Sequence, residues 1–175
     1  TLSSSYDNAG RLLTNTDGAG IVTRHVYNAL GQLIDTYLAD NVAADTARLH
    51  YEYDAAGRLT AEYRAYGSAE QIATFFAYDG LGNRIGTTDA NGNITNFTFD
   101  ALGRIVTATN ALSGVTAYEY DAFGNVLKVT DPKGNARFDY YDKLNRLIAS
   151  RDAAGYVTRT IYNRFGDVLS VERYS

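Results

Sequence analysis

Six aspartates recur in phase along the chain, Asp7, Asp54, Asp79, Asp100, Asp121 and Asp142, with Asn28 and Asn163 at the two equivalent places. Paired carboxylates can perform acid–base or glycosidic chemistry, which needs two unique groups held in different protonation states. A carboxylate repeated in every copy fits a different task, that of accepting hydrogen bonds in a turn. The two histidines, His25 and His50, fall in different copies with no cysteine and no ligand spacing, which argues against a metal centre or a triad. Asp89, Asn91 and Asn93 offer oxygen ligands, but Gly92 is misplaced for an EF-type calcium loop. Asn93 and Asn96 open N-x-Thr sequons, yet both lie beside or within an expected strand. No catalytic, cofactor-binding or metal-ligating residue is assigned, and the chain reads as a non-enzyme.

The elements that position these residues follow from an internal repeat. Tyr (once Phe), then Asp or Asn, two variable residues, Gly (once Asn), a polar residue and an aliphatic one occur eight times. The copies place Tyr6, Asp7 and Gly10; Tyr27, Asn28 and Gly31; Tyr53, Asp54 and Gly57; Tyr78, Asp79 and Gly82; Phe99, Asp100 and Gly103; Tyr120, Asp121 and Gly124; Tyr141, Asp142 and Asn145; Tyr162, Asn163 and Gly166. The intervals are 21, 26, 25, 21, 21, 21 and 21 residues, too regular for chance.

Each copy predicts a hairpin: a type I turn with Asp as acceptor, then a left-handed Gly that forms a bulge on re-entering a strand. Asn145 fits, because Asn tolerates that region best after Gly. In the copy at Tyr78 the aliphatic residue comes one place late, at Ile85, which predicts a local bulge there. A second turn lies midway, as in Asp17 to Gly20, Asp89 to Gly92, Asp131 to Gly134 and Asp152 to Gly155, with its Gly one place late at Gly114. The two longer units carry their extra residues at this second turn, from Asp40 to Ala47 and from Tyr66 to Gln71. Val42 to Ala47 is too short to assign as a helix.

Tyr and Phe, with Thr, Val and Ile, supply strands, and 16 Gly supply turns. The pattern predicts about 15 strands of about 5–7 residues each. Entering strands repeat on alternate residues, as in Thr116, Tyr118 and Tyr120, so the motif tyrosines should stack as a ladder on one face. Leaving strands put aliphatics on both faces, as at Val126 and Leu127. Arg11, Arg58, Arg104 and Arg146 follow the turn Gly, or Asn145, and are expected to pair with the turn Asp. The fold class is all-β, a repetitive antiparallel hairpin meander. A sheet this long should curl into a spiral or partial shell and leave its end strands free to associate.

The net charge of −4 is evenly mixed, which argues against nucleic acid as a partner. No apolar run is long enough to span a membrane as a helix. With no Cys there is no disulfide framework, and with no initiator Met the chain is expected to be a segment of something longer.

Tyr53-Asp54-Ala55-Ala56-Gly57-Arg58-Leu59 and Phe99-Asp100-Ala101-Leu102-Gly103-Arg104-Ile105 resemble the signature of the YD-repeat, or Rhs-repeat, family. The upstream Asp89, Gly92 and Thr95 follow its Asp-x-x-Gly-x-x-Thr pattern. The resemblance covers residues 1–175 as a single array. It implies a sheet that spirals into a hollow shell around a C-terminal toxin, in bacterial proteins secreted or displayed at the cell surface. The animal teneurins use a related barrel in adhesion. Implied partners are further repeats and an enclosed toxin domain; a glycan or cell-surface protein is the alternative. The family's self-cleaving protease segment has no counterpart here. Asp131-Pro132-Lys133-Gly134 has a similar Asp-Pro-x-Gly form, but it falls in phase with the other mid-unit turns.

Overall fold

A computed structural model describes residues 2–38 and 48–175. The insertion from Asp40 to Ala47 lies outside the described residues. The described chain is strands and turns, arranged as an antiparallel meander of sixteen strands that follow one another in the sheet as in the sequence. Among the described residues no helix is long and apolar enough to cross a membrane. Contacts divide the fold into two compact units, residues 1–94 and 95–175.

In the first unit the strands are β1 (Ser3–Tyr6), β2 (Leu12–Thr16), β3 (Val22–Tyr27), β4 (Leu33–Tyr37), β5 (Arg48–Tyr53), β6 (Leu59–Arg64), β7 (Ile72–Tyr78) and β8 (Arg84–Thr88). In the second, after β9 (Ile94–Phe99), come β10 (Ile105–Thr109), β11 (Val115–Tyr120), β12 (Val126–Thr130), β13 (Ala136–Tyr141), β14 (Leu147–Arg151), β15 (Val157–Tyr162) and β16 (Val168–Tyr174). The count is one above expectation. Ser3–Tyr6 opens with three serines, which carry little strand signal, and takes its place by pairing with β2. Among the described residues β1 pairs only with β2 and β16 only with β15, so the sheet is open.

The two kinds of turn share a backbone pattern. At the motif turn, the amide of residue 100 donates to the carbonyl of residue 104 and Gly103 N donates to Asp100 O; at the midway turn Asp131 and Asn135, with Gly134, repeat this at 2.9 and 3.0 Å. They differ in register. Each motif turn is followed by a bulge: Tyr120 pairs with Val126 while Glu119 pairs with Lys128, which leaves Leu127 as the extra residue. The midway turns joining β10 to β11, β12 to β13 and β14 to β15 have none, as in the unbroken run from Thr107↔Ala117 to Thr109↔Val115. The bulge explains the paired aliphatics of the leaving strands, since one of them is always the inserted residue.

The bulge expected as a peculiarity of the Tyr78 copy is therefore no peculiarity. Tyr78 pairs with Arg84 and Ala77 with Gly86, the same shift found in the other copies. Ile85 is the inserted residue, and only the paired slot has changed from aliphatic to Arg84. The left-handed site is occupied by Asn145 at φ 60° in its copy, and by Ser113 at φ 61° where the midway Gly comes late. Gly114 is needed there for space: a Cβ on it would lie 2.9 Å from Asn110 Nδ2 and 3.1 Å from Pro132 Cβ of the next midway turn.

There is almost no apolar interior. Among the described residues Ala61 is the one buried hydrophobic residue, and no large side chain is fully buried. Both faces carry half-exposed side chains, so stability must come from cross-strand pairs and from contacts between successive repeats.

Candidate functional site

The repeated motif is the one arrangement in which titratable and aromatic groups converge in every copy. In each, the turn acid or amide ties its own loop. Asp100 Oδ1 accepts from Leu102 N at 2.9 Å and Arg104 N at 3.0 Å, and Asp100 Oδ2 accepts from Arg104 Nε at 2.7 Å. The same set recurs at Asp7 with Arg11, Asp54 with Arg58 and Asp142 with Arg146. At Asp79 and Asp121 the second oxygen accepts from Asn83 and Asn125.

The two amide copies invert the pair. Asn28 donates to Gln32 Oε1 and Asn163 donates to Asp167 Oδ2, both at 2.8 Å. Wherever the turn residue is an acid, the residue four places on is a donor; where it is an amide, that residue offers an acceptor. This complementarity is written in the sequence, though charge announces it only in the arginine copies.

The hydrogen bonds set the carboxyl titration. Asp54, Asp7 and Asp100 are held below the ordinary carboxylate range, first by the backbone amide of the arginine four residues on and then by its side chain. For Asp79, Asp121, Asp131 and Asp142 the side-chain donor comes first. A carboxylate so held is a poor general acid at neutral pH.

The arginine also reaches the next repeat. The guanidinium of Arg104 lies 4.6 Å from the ring centroid of Tyr120 and donates from Nη1 to Asp121 O at 2.9 Å. Arg58 does the same to Tyr78 and Asp79, and Arg11 and Arg146 lie over Tyr27 and Tyr162. Gln32 reaches forward instead to Gly57 O at 3.0 Å, and Asn125 to Asn145 Oδ1 at 3.0 Å. Gly31 leaves room for this reach, because a Cβ on it would lie 2.9 Å from Arg11 Nη1.

The tyrosine closes the link backwards. Tyr120 Oη donates to Ile105 O at 2.7 Å, and Tyr27, Tyr53, Tyr78 and Tyr162 donate to Leu12, Leu33, Leu59 and Leu147. Each acceptor is the residue paired with the preceding motif tyrosine, or the one in its place. The tyrosine is thus more than the packing rung read from the sequence. Phe99 has no hydroxyl for this bond, Tyr6 on β1 is exposed, and burial raises the phenol of Tyr141.

Several groups fall outside the motif. Asp35, nearly buried, accepts from Arg48 Nε at 2.9 Å and lies 2.7 Å from His50 Nδ1. His50 stacks on Tyr66 at 4.1 Å between centroids, and Arg48 lies over both Tyr37 and Tyr66. The Asp–His pair has half the form of a hydrolytic triad. The far nitrogen, His50 Nε2, however, faces Glu52 Oε1 at 4.0 Å, a second acceptor and not a nucleophile. His25 is separate, with Nδ1 3.2 Å from Thr36 Oγ1. The oxygens of Asp89 are occupied by Asn91 N, Asn93 N and Asn93 Nδ2. Asp131 holds its own turn in the same way, with Lys133 N, Asn135 N and Asn135 Nδ2. Among the described residues no group of three His, Cys, Asp or Glu is close enough to hold a metal ion.

The family described as RHS Repeat matches residues 78–115 and 99–136, which contain three of these linked turns. Residues 78–136 thus carry Rhs repeats. The fold of the array also recurs in solved structures of TcdB2-TccC3. A crystal structure of TcdB2-TccC3-Cdc42 aligns with a TM-score of 0.65 at 18% identity, over 98% of this chain and 11% of that one. TcdB2-TccC3 aligns at 0.64 and 19%, over 98% of this chain and 12% of that one. The Photorhabdus luminescens Tc holotoxin pore, with a substituted TccC3, aligns at 0.63 and 17%, over 98% and 11%. The chain thus spans about a ninth of the length of those it matches. No curated protein sequence matches the chain.

Proposed function

We propose that these Rhs repeats are a stretch of wall in a shell that encloses a C-terminal toxin, and that they carry out no chemistry themselves. The observation that carries this reading is the link between repeats. The acid, the arginine and the tyrosine that could do chemistry are engaged in holding a turn or joining it to its neighbour. Repetition of that link gives a sheet that can be extended indefinitely, which is what a container needs and an active site does not. The toxin complexes of like fold pair TcdB2 with TccC3, in one case without a hypervariable C-terminal region. On this reading the array covers residues 1–175, belongs to a longer exported bacterial protein, and curls so that its end strands meet further repeats.

The test is protease protection in the parent polypeptide. The region downstream of the repeats should resist a protease that digests it rapidly once the repeats are unfolded. Digestion at the same rate with the repeats intact contradicts the reading.

A second reading, a glycan-binding surface, rests on a shallow groove of about 380 Å³ in the second unit, where Tyr118 borders Asp131, Asn135 and Arg137. An aromatic ring beside hydrogen-bonding groups suits a sugar. Saturable binding on a glycan array, abolished by Tyr118→Ala, supports it; no binding removes it.

A further inference from the structure

The motif turns of the second unit expose a regular row of large apolar side chains. Leu102, Phe123, Leu144 and Phe165 stand at the same turn position in four successive copies, and are 75, 80, 71 and 74% exposed. Nothing in the turn demands them. The midway turns have the same backbone hydrogen bonds, yet carry Leu112, Lys133 and Ala154 at that position. The row is also held rigidly. The backbone amide of each of the four donates to the turn Asp or Asn side chain at 2.8–2.9 Å. All four lie at one end of the strands, two strands apart, at a pitch of about 10 Å.

The row is complementary to itself when reversed. Leu and Phe alternate, so an antiparallel copy sets Leu102 against Phe165 and Phe123 against Leu144, each small residue facing a large one. The charges follow the same rule. The turn from 121 to 125 carries only Asp121, a net −1, while the turn from 142 to 146 carries Asp142, Lys143 and Arg146, a net +1. The outer turns, with Asp100 and Arg104, and with Arg164 and Asp167, are neutral. Reversal places −1 against +1 twice. A parallel pairing would set Leu on Leu, Phe on Phe and like charge on like.

We propose that this row is an isologous docking surface for a second copy of the chain, joined tip to tip about a two-fold axis with the two rows antiparallel. At roughly 100 Å² per side chain, the four tips of both copies bury on the order of 800 Å², below the roughly 1,000 Å² that a stable interface clears. The dimer is therefore weak and concentration-dependent. It is independent of whatever the repeats enclose.

Sedimentation equilibrium of the 175-residue chain tests this. A monomer–dimer equilibrium is expected, with the double change Phe123→Ser and Leu144→Ser raising its Kd by about tenfold or more. Lys143→Glu, which leaves the apolar tips intact, should also raise it, and Leu112→Ser at a midway turn should not. The chain has no cysteine, so disulfide trapping reads the orientation directly. Ala122→Cys mixed with Lys143→Cys should cross-link faster than either alone. A strict monomer overturns the proposal. So does a dimer indifferent to the tip changes, as association through the open strands β1 and β16 would be, and so does preferential self-linking of Ala122→Cys, which means parallel rows.

Discussion

The two units share a motif and differ in how strictly they keep its spacing. In the second unit the copies follow at 21 residues throughout, and one Arg, Tyr and Asp arrangement, or its Asn variant, recurs with little else. In the first unit two intervals stretch to 26 and 25 residues, and here the unique cluster of Asp35, Arg48, His50 and Tyr66 appears. Tyr66 belongs to one of the extra segments, and its amide returns to Arg48 O at 3.0 Å. The contrast teaches that a repeat of standard length is held by the shared link, whereas a stretched one recruits stabilisation found nowhere else among the described residues. The buried acid of the second unit, Asp139, is more modest, meeting Ser150 at 2.6 Å on the paired strand and Arg137 at 2.8 Å.

Acid should affect both units together and produce the largest loss. Four turn acids in each unit have lowered pKa values: Asp7, Asp54, Asp79 and Asp89, and Asp100, Asp121, Asp131 and Asp142. A carboxyl depressed on folding contributes stability that is full above the unfolded value of about 3.9 and is lost as pH falls through the folded value. Urea midpoints should therefore hold steady down to about pH 5 and drop steeply below about pH 4. A flat profile there would remove the turn acids from the account.

Asp35→Ala should separate the units. It leaves Arg48 and His50 facing a space without their acceptor, at a cost of about 3 kcal/mol. Amide hydrogen exchange should accelerate in β4 and β5 and stay unchanged in β13 to β15. Tyr120→Phe removes one hydroxyl bond to Ile105 O and should cost about 1 kcal/mol, seen as a lower urea midpoint with an unchanged slope. Asn163→Asp sets two carboxylates together and should destabilise by about 1 kcal/mol; adding Asp167→Asn should restore the original midpoint, because donor and acceptor have merely been exchanged. Asn145→Gly is the smallest change. It relieves a φ of 60° but gives up the bond from Asn125, so the midpoint should move by less than about 0.5 kcal/mol.

Much of this was legible in the residues. The turns were, because Asp and Gly at fixed offsets have one good geometry between two strands. The pairing of Arg104 with Asp100 was, because the two sit on either side of one turn. The tyrosine hydroxyl bond was not, since its acceptor, Ile105 O, is set by a bulge that shifts register across the hairpin. The Asp35 and His50 contact was not either. Those residues face each other only through the pairing of β4 with β5, across an insertion whose length carries no register signal. The complementarity of Asn163 with Asp167 lay in plain sight, but shows only when acids and amides are compared copy by copy.

The central claim is that arginine and tyrosine join one repeat to the next, and a double-mutant cycle between Arg104 and Tyr120 tests it most directly. Arg104→Gln, Tyr120→Leu and the double variant of the 175-residue chain would be unfolded in urea side by side. Coupling of about 0.5–1 kcal/mol is expected for a guanidinium 4.6 Å from the ring centroid. Effects that add to within about 0.3 kcal/mol would mean that neighbouring repeats only lie side by side, and that the link is not what holds the array together.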